Sequence, residues 1–143
     1  MTAKEYVSQL IGINARIREA ELTLSSMQAE RDQLGAMRYD SVRVSGGQSS
    51  DLGDAVIRKK EDIDRQVKKI ERLRETKQTV EDTVGRIKDG RYATLLLLRY
   101  EHCCSWRYIT EVLSTPFAEQ NEDTIRKVMH GQALMELDKI LKN

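Results

Sequence analysis

Apolar residues recur in alternating steps of four and three at Tyr6, Leu10, Ile13, Ile17, Ala20, Leu24, Met27 and Leu34, with Arg31 the one interruption. That alternation holds one stripe on one side of a helix and is the heptad pattern of a coiled-coil seam. No proline interrupts it, so a helix is predicted from Thr2 to about Met37. Tyr39 to Gly53 carries no period and contains Gly46, Gly47, Gln48, Ser49 and Ser50, which reads as a flexible connection over about 39–53. A second seam then runs from about Leu52 to Lys88 through Val56, Ile63, Val67, Ile70, Leu73, Val80, Val84 and Ile87, with Lys60, Arg74 and Lys77 close to it. Two stripes of matched length joined by a flexible loop can bury each other, which predicts a long antiparallel helical hairpin over residues 1–89.

The pattern changes after Asp89 and Gly90. Tyr92, Leu95, Leu96, Leu97, Leu98 and Tyr100 give a short helix from about Arg91 to Glu101, followed by a turn through Cys104. Ser105 is a good N-cap for a helix carrying Trp106, Ile109, Val112 and Leu113. Ser114 to Gln120 contains the only proline, Pro116, and reads as a loop that also carries Phe117. Asn121 caps a last helix whose stripe is Ile125, Val128, Met129, Ala133, Leu134, Leu137, Ile140 and Leu141. Trp106 is expected in the core and Arg99 is expected to pair with Glu111. The fold class is therefore all-α: a coiled-coil hairpin, then a three-helix domain of helix-turn-helix type over 90–143.

Composition fits long solvated helices, with charged residues at 33% and aromatics at only 5% of 143 residues. The 24 Lys and Arg against 23 Asp and Glu leave a net charge of +1, so binding to nucleic acid would have to come from a local patch. The basic band of the second long helix, Arg58, Lys59, Lys60, Arg65, Lys68, Lys69, Arg72 and Arg74, is interleaved with acids and reads as a solvated coiled-coil flank. Cys103 and Cys104 are neighbours and read as reduced thiols. Neither a leader peptide nor a membrane span is visible, so a cytoplasmic protein without membrane partners is expected. With no separated Cys-x-x-Cys or His-x-x-x-His pairs, no nucleotide-binding glycines and no paired catalytic carboxylates, the expectation is a protein that is not an enzyme and holds no metal or cofactor.

The stretch LLLLRYEHCCSWRYITEVL, followed by DTIRKVMHGQALMELDKIL, resembles region four of bacterial primary sigma factors. The matching positions are Leu97, Leu98, Arg99 and Tyr100, then Trp106, Ile109, Glu111 and Leu113, then Thr124, Ile125, His130, Ala133 and Leu134. The whole chain is similar to small phage and prophage proteins of Gram-positive bacteria that join a helical hairpin to a sigma-like domain, grouped with late-gene regulators of the ArpU and RinA type. The resemblance implies a transcription regulator whose helix-turn-helix domain binds promoter DNA, host RNA polymerase or both, while the hairpin is open to homodimerisation. Two features depart from the family pattern: a longer step from Leu113 to Thr124, and an acidic start to the last helix at Glu122 and Asp123.

Under that resemblance the DNA-binding candidates are Thr124, Arg126, Lys127 and His130 on the last helix, and Arg107 and Tyr108 at the start of the helix before it. Arg126 would read a guanine edge, Lys127 would hold a phosphate, and Arg107 with Tyr108 would touch the backbone. The plain alternative for each is a solvated helix face. Seven cations are matched by seven anions between Arg91 and Asn143, so the domain is neutral. The rival expectation is therefore a helical protein-interaction adaptor, or a host-factor inhibitor, that does not read DNA.

Overall fold

The computed structural model describes residues 1–44, 49–115 and 119–143, with side chains for 1–37, 53–115 and 119–143. It is all-helical, and among the described residues no strand forms. In chain order the helices are α1 (Ala3–Ser8), α2 (Ile13–Val44), α3 (Ser49–Gly85), α4 (Gly90–Leu96), α5 (Trp106–Leu113), α6 (Glu122–Thr124) and α7 (His130–Lys142). Two π-helical turns lie among them, Leu97–Glu101 continuing α4 and Ile125–Met129 joining α6 to α7. The helix boundaries differ from the sequence pattern in two places. Helix persists through Val44 and resumes at Ser49, inside the stretch 39–53 expected to be a connection. The first helix is also broken, because Gly12 takes φ +71°, a left-handed conformation that costs other residues about 1–2 kcal/mol.

Local chemistry explains where the short helices start. Thr2 and Glu5 form a reciprocal capping box at α1, with Glu5 N–H donating to Thr2 Oγ1 at 3.1 Å and Thr2 N–H to Glu5 Oε2 at 2.8 Å. Asp89 caps α4 by accepting from Arg91 N–H at 2.9 Å, and Ser105 caps α5 by accepting from Tyr108 N–H at 3.2 Å. Asn121 accepts from Asp123 and Thr124 N–H at the start of α6. The wide turn after it has a packing reason. Ile125, Met129, Ala133 and Leu137 are all buried at steps of four, a spacing that drifts around an ideal helix of 3.6 residues per turn. A turn with more residues at the start of the run offsets part of that drift.

Contacts divide the chain into two compact units. The first comprises Met1–Asn14 and Glu75–Asn143, so its core is drawn from both ends of the chain and from the C-terminal part of α3. Val7, Leu10, Val84, Leu95, Leu96, Ile109, Ile125 and Leu137 are fully enclosed in it. Tyr6 and Thr83 share a hydroxyl hydrogen bond of 2.9 Å that ties α1 to α3. The division at 89/90 read from sequence follows the break at Gly90, whereas this grouping follows the packing of α1 on α7. The stripe of the last helix is narrower than its apolar residues suggest, since Val128 is half exposed and Leu134, Ile140 and Leu141 are only partly covered.

An acidic pair sits within this unit. Lys77 Nζ lies 3.9 Å from Glu81 Oε1 and 3.6 Å from Glu101 Oε1, and the buried Oε1 of Glu81 makes no hydrogen bond. Burial first, and then the charge of Glu101, hold the Glu81 carboxyl above its ordinary value against the pull of Lys77. A carboxyl raised in the native state stabilises it below the unfolded value, about 4.3, and loses that contribution as pH rises through the native value. Glu81→Gln, which cannot ionise, is expected to raise the melting temperature at pH 7 and to leave it nearly unchanged near pH 4. Melts of both proteins across that range check it, and an equal shift at both pH values would count against the pair.

The second unit is Ala15–Arg74. Ile17, Ala20, Ile63 and Ile70 are buried, and Leu24, Met27, Leu34, Val56, Val67 and Leu73 are half-buried, which are the seam positions of the sequence pattern. Arg31, the interruption in that pattern, is itself only half-exposed. Gln66 Nε2 donates to Ala20 O at 2.9 Å, Lys59 Nζ lies 2.6 Å from Glu30 Oε2, and Arg74 pairs with Glu21. Partners on α3 thus fall in number from Arg74 to Lys59 as those on α2 rise from Glu21 to Glu30. The ion pairs are exposed, and such pairs contribute little each, so the apolar seam supplies most of the attraction.

Candidate nucleic-acid interface

Helix α5 and the run from α6 through α7 present their apolar sides to one core, with Ile109 and Leu113 from the first and Ile125, Met129 and Ala133 from the second all buried. Their other sides carry the candidate side chains. Arg107 is 85% exposed and only loosely paired, its Nε 3.9 Å from Glu111 Oε1. Tyr108 is half exposed beside it. Thr124, Arg126 and Lys127 are exposed on the opening turns of the last helical run. Arg126 Nη2 donates to Asp123 Oδ1 at 3.0 Å, so reaching a base edge means giving up that ion pair. Five of the six candidates are therefore open to solvent at the beginnings of two successive helices.

His130 is the exception. Its Nε2 lies 2.9 Å from the Tyr100 hydroxyl, and its ring stacks on Tyr100 at 5.9 Å and meets Trp106 edge-on at 5.0 Å between centroids. Burial, followed by the charges of Lys4 and Arg99, holds its pKa below the ordinary value. The ring belongs to the junction between helices, where Tyr100 and Trp106 hold it. Trp106 also differs from expectation. It is part-exposed rather than enclosed, with the Arg99 guanidinium 4.5 Å above its ring. Arg99 Nη1 further donates to Cys104 O at 3.0 Å, and the partner of Glu111 is Arg107, so no Arg99–Glu111 pair forms.

The neighbourhood joining Arg99, Tyr100, Trp106 and His130 is thus the part that sequence reasoning missed. The available signal was the aromatic and cationic content of Arg99-Tyr100 and Trp106 around two turns, which apolar periodicity does not weigh. The turn itself is tight: Cys103 adopts φ +53°, and Cys103 and Cys104 are both free thiols. The expected loop residues Pro116 and Phe117 lie outside the described residues. Among the described residues no three His, Cys, Asp or Glu side chains converge as metal ligands, and no helix is long and apolar enough to cross a membrane. Comparison with known protein families, curated proteins and solved structures gave no match to the chain.

Proposed function

We propose that this chain is a phage-type transcription regulator of the cytoplasm, built as an antiparallel helical hairpin joined to a sigma-like helix-turn-helix domain that contacts promoter DNA together with host RNA polymerase. The observation that carries the reading is the exposure of Arg107, Tyr108, Thr124, Arg126 and Lys127 on the opening turns of two successive helices whose other sides share a core. In a helix-turn-helix the residues at the start of the second helix read base edges while those of the preceding helix hold the backbone. Arg126 is the base-reading candidate, Lys127 and Arg107 the phosphate-binding ones. His130 supports the domain from inside. The mechanism is recruitment: a neutral domain binds DNA weakly alone, and simultaneous contact with polymerase raises its effective concentration at the promoter. The hairpin offers the surface for a second copy.

A second reading has its own support. Tyr108, Val112 and Val128 are exposed apolar side chains at 44–50%, and Asp123 already occupies Arg126, both of which suit a protein-binding adaptor. Replacing Arg126 and Lys127 together by Ala distinguishes the two. For the regulator, binding to the chain's own upstream DNA in the presence of polymerase falls about tenfold or more, with the helical signal unchanged and the salt dependence reduced. Binding to polymerase that survives the double substitution, with no DNA preference in either protein, would favour the adaptor.

A further inference from the structure

Beside the Tyr100–His130 pair lies a cavity of about 440 Å³, within the range of small-molecule sites. Lys4 comes from α1, Arg99 and Tyr100 from the π-helical turn, Cys103 from the strained turn, Trp106 from α5 and His130 from α7, all within the first unit. A group bound there would touch α1, the π-helical turn, α5 and α7 together. The walls are aromatic, while the fixed charges are cationic.

The charge balance identifies the chemistry. Burial is the first cause of the lowered His130 pKa, and Lys4 and Arg99 add to it in the same direction. The nearby acids are committed elsewhere: Glu5 to the Thr2 cap, and Glu101 to Lys77 and Glu81. Arg99 spends one nitrogen on Cys104 O and lays its face on Trp106, which orients the guanidinium and leaves further N–H donors. Lys4 is exposed on the first turn of α1, with its ammonium able to swing toward a ligand. Two cations, a preformed aromatic wall and an imidazole make a receptor for an oxyanion on a small, flat molecule.

We propose that this cavity binds a small oxyanion-bearing molecule, a phosphate ester or a carboxylate, through Lys4 and Arg99, with Trp106 and His130 against its body. Binding there is independent of the DNA reading and couples to it only through the shared helices α5 and α7. An effector held at this junction would set the spacing of the two helix starts that carry Arg107 and Arg126.

The test uses the full chain, inorganic phosphate, adenosine monophosphate and citrate at constant ionic strength, with chloride as control. Trp106 is the only tryptophan and His130 one of two histidines, so Trp emission and the His ring resonances report the site directly. The expected result is saturable quenching or enhancement of Trp106 and a rise in the His130 pKa as the anion offsets the two cations. Lys4→Gln should weaken binding about tenfold without unfolding, and Arg99→Gln should weaken it further. Response to phosphate and adenosine monophosphate alone assigns a phosphoryl ligand, and an equal response to citrate assigns a broader oxyanion site. Responses matching chloride, or unchanged in Lys4→Gln, overturn the proposal; so does a His130 response to DNA alone.

Discussion

Leu10→Ala is expected to destabilise the first unit by about 2–5 kcal/mol, the range for emptying a fully buried leucine site. Leu10 has no exposed surface, yet by sequence it belongs to the first heptad seam, eighty residues before the domain whose core it completes. The left-handed Gly12 and the short turn from Gln9 release Leu10 from the line of α2, and α1 then packs on α7. A substitution at a half-buried seam position such as Leu24 removes the same side chain with less lost burial. Urea unfolding, followed by Trp106 emission for the first unit and by far-ultraviolet dichroism for total helix, separates the two. A Leu10→Ala midpoint within error of the parent would mean that α1 does not belong to this core.

The second large effect is expected at Arg99. Its guanidinium lies over Trp106 and donates to Cys104 O, so it closes the turn between α4 and α5 from both sides. Cation–π contacts that are partly desolvated reach about 2 kcal/mol, and a charged hydrogen bond adds about 1.5–3 kcal/mol before non-additivity. Arg99→Ala should therefore cost about 2–3 kcal/mol and shift Trp106 emission. Arg99→Lys should recover little of it, because an ammonium can neither stack flat nor hold the carbonyl with the same geometry. Full recovery by Lys would reduce the role of Arg99 to its charge.

Much of the helical architecture is visible in the residue pattern, for identifiable reasons. Heptad spacing is local information, and the positions from Ile17 to Leu34 and from Val56 to Leu73 are buried or half-buried within the second unit, whereas Ile13, Val80, Val84 and Ile87 are buried in the first. Caps are equally local: Ser105 and Asn121 act where their types and positions suggest. What the pattern conceals depends on residues far apart in sequence or on backbone conformation. Gly12 is one apolar-compatible residue within an unbroken stripe, and its positive φ has no signature beyond the residue type. Tyr39 to Val44 is still helical although the first stripe has ended at Leu34. Trp106 was assigned to the core by its size, whereas Arg99 and His130 make a place for it at the edge. Of the candidate interface, the five exposed residues follow helical phase, whereas His130 is engaged by Tyr100 and Trp106, contacts between distant residues that helical phase does not carry.

The sharing of one core by residues far apart in sequence bears on how the molecule is made. Val7 and Leu10 are synthesised more than a hundred residues before Leu137, which shares their core. The N-terminal turn must wait, its apolar residues uncovered, while more than a hundred residues are added at ordinary rates of synthesis of about 5–20 residues per second. The pairing between α2 and α3 needs only the segment up to Arg74 and can form in the meantime. Once formed, it shortens the effective loop that must close to bring Leu10 to Leu137, lowering the entropy cost of that late step. The segment between them thus acts as a clasp made during translation, and the core that joins Leu10 to Leu137 closes after it.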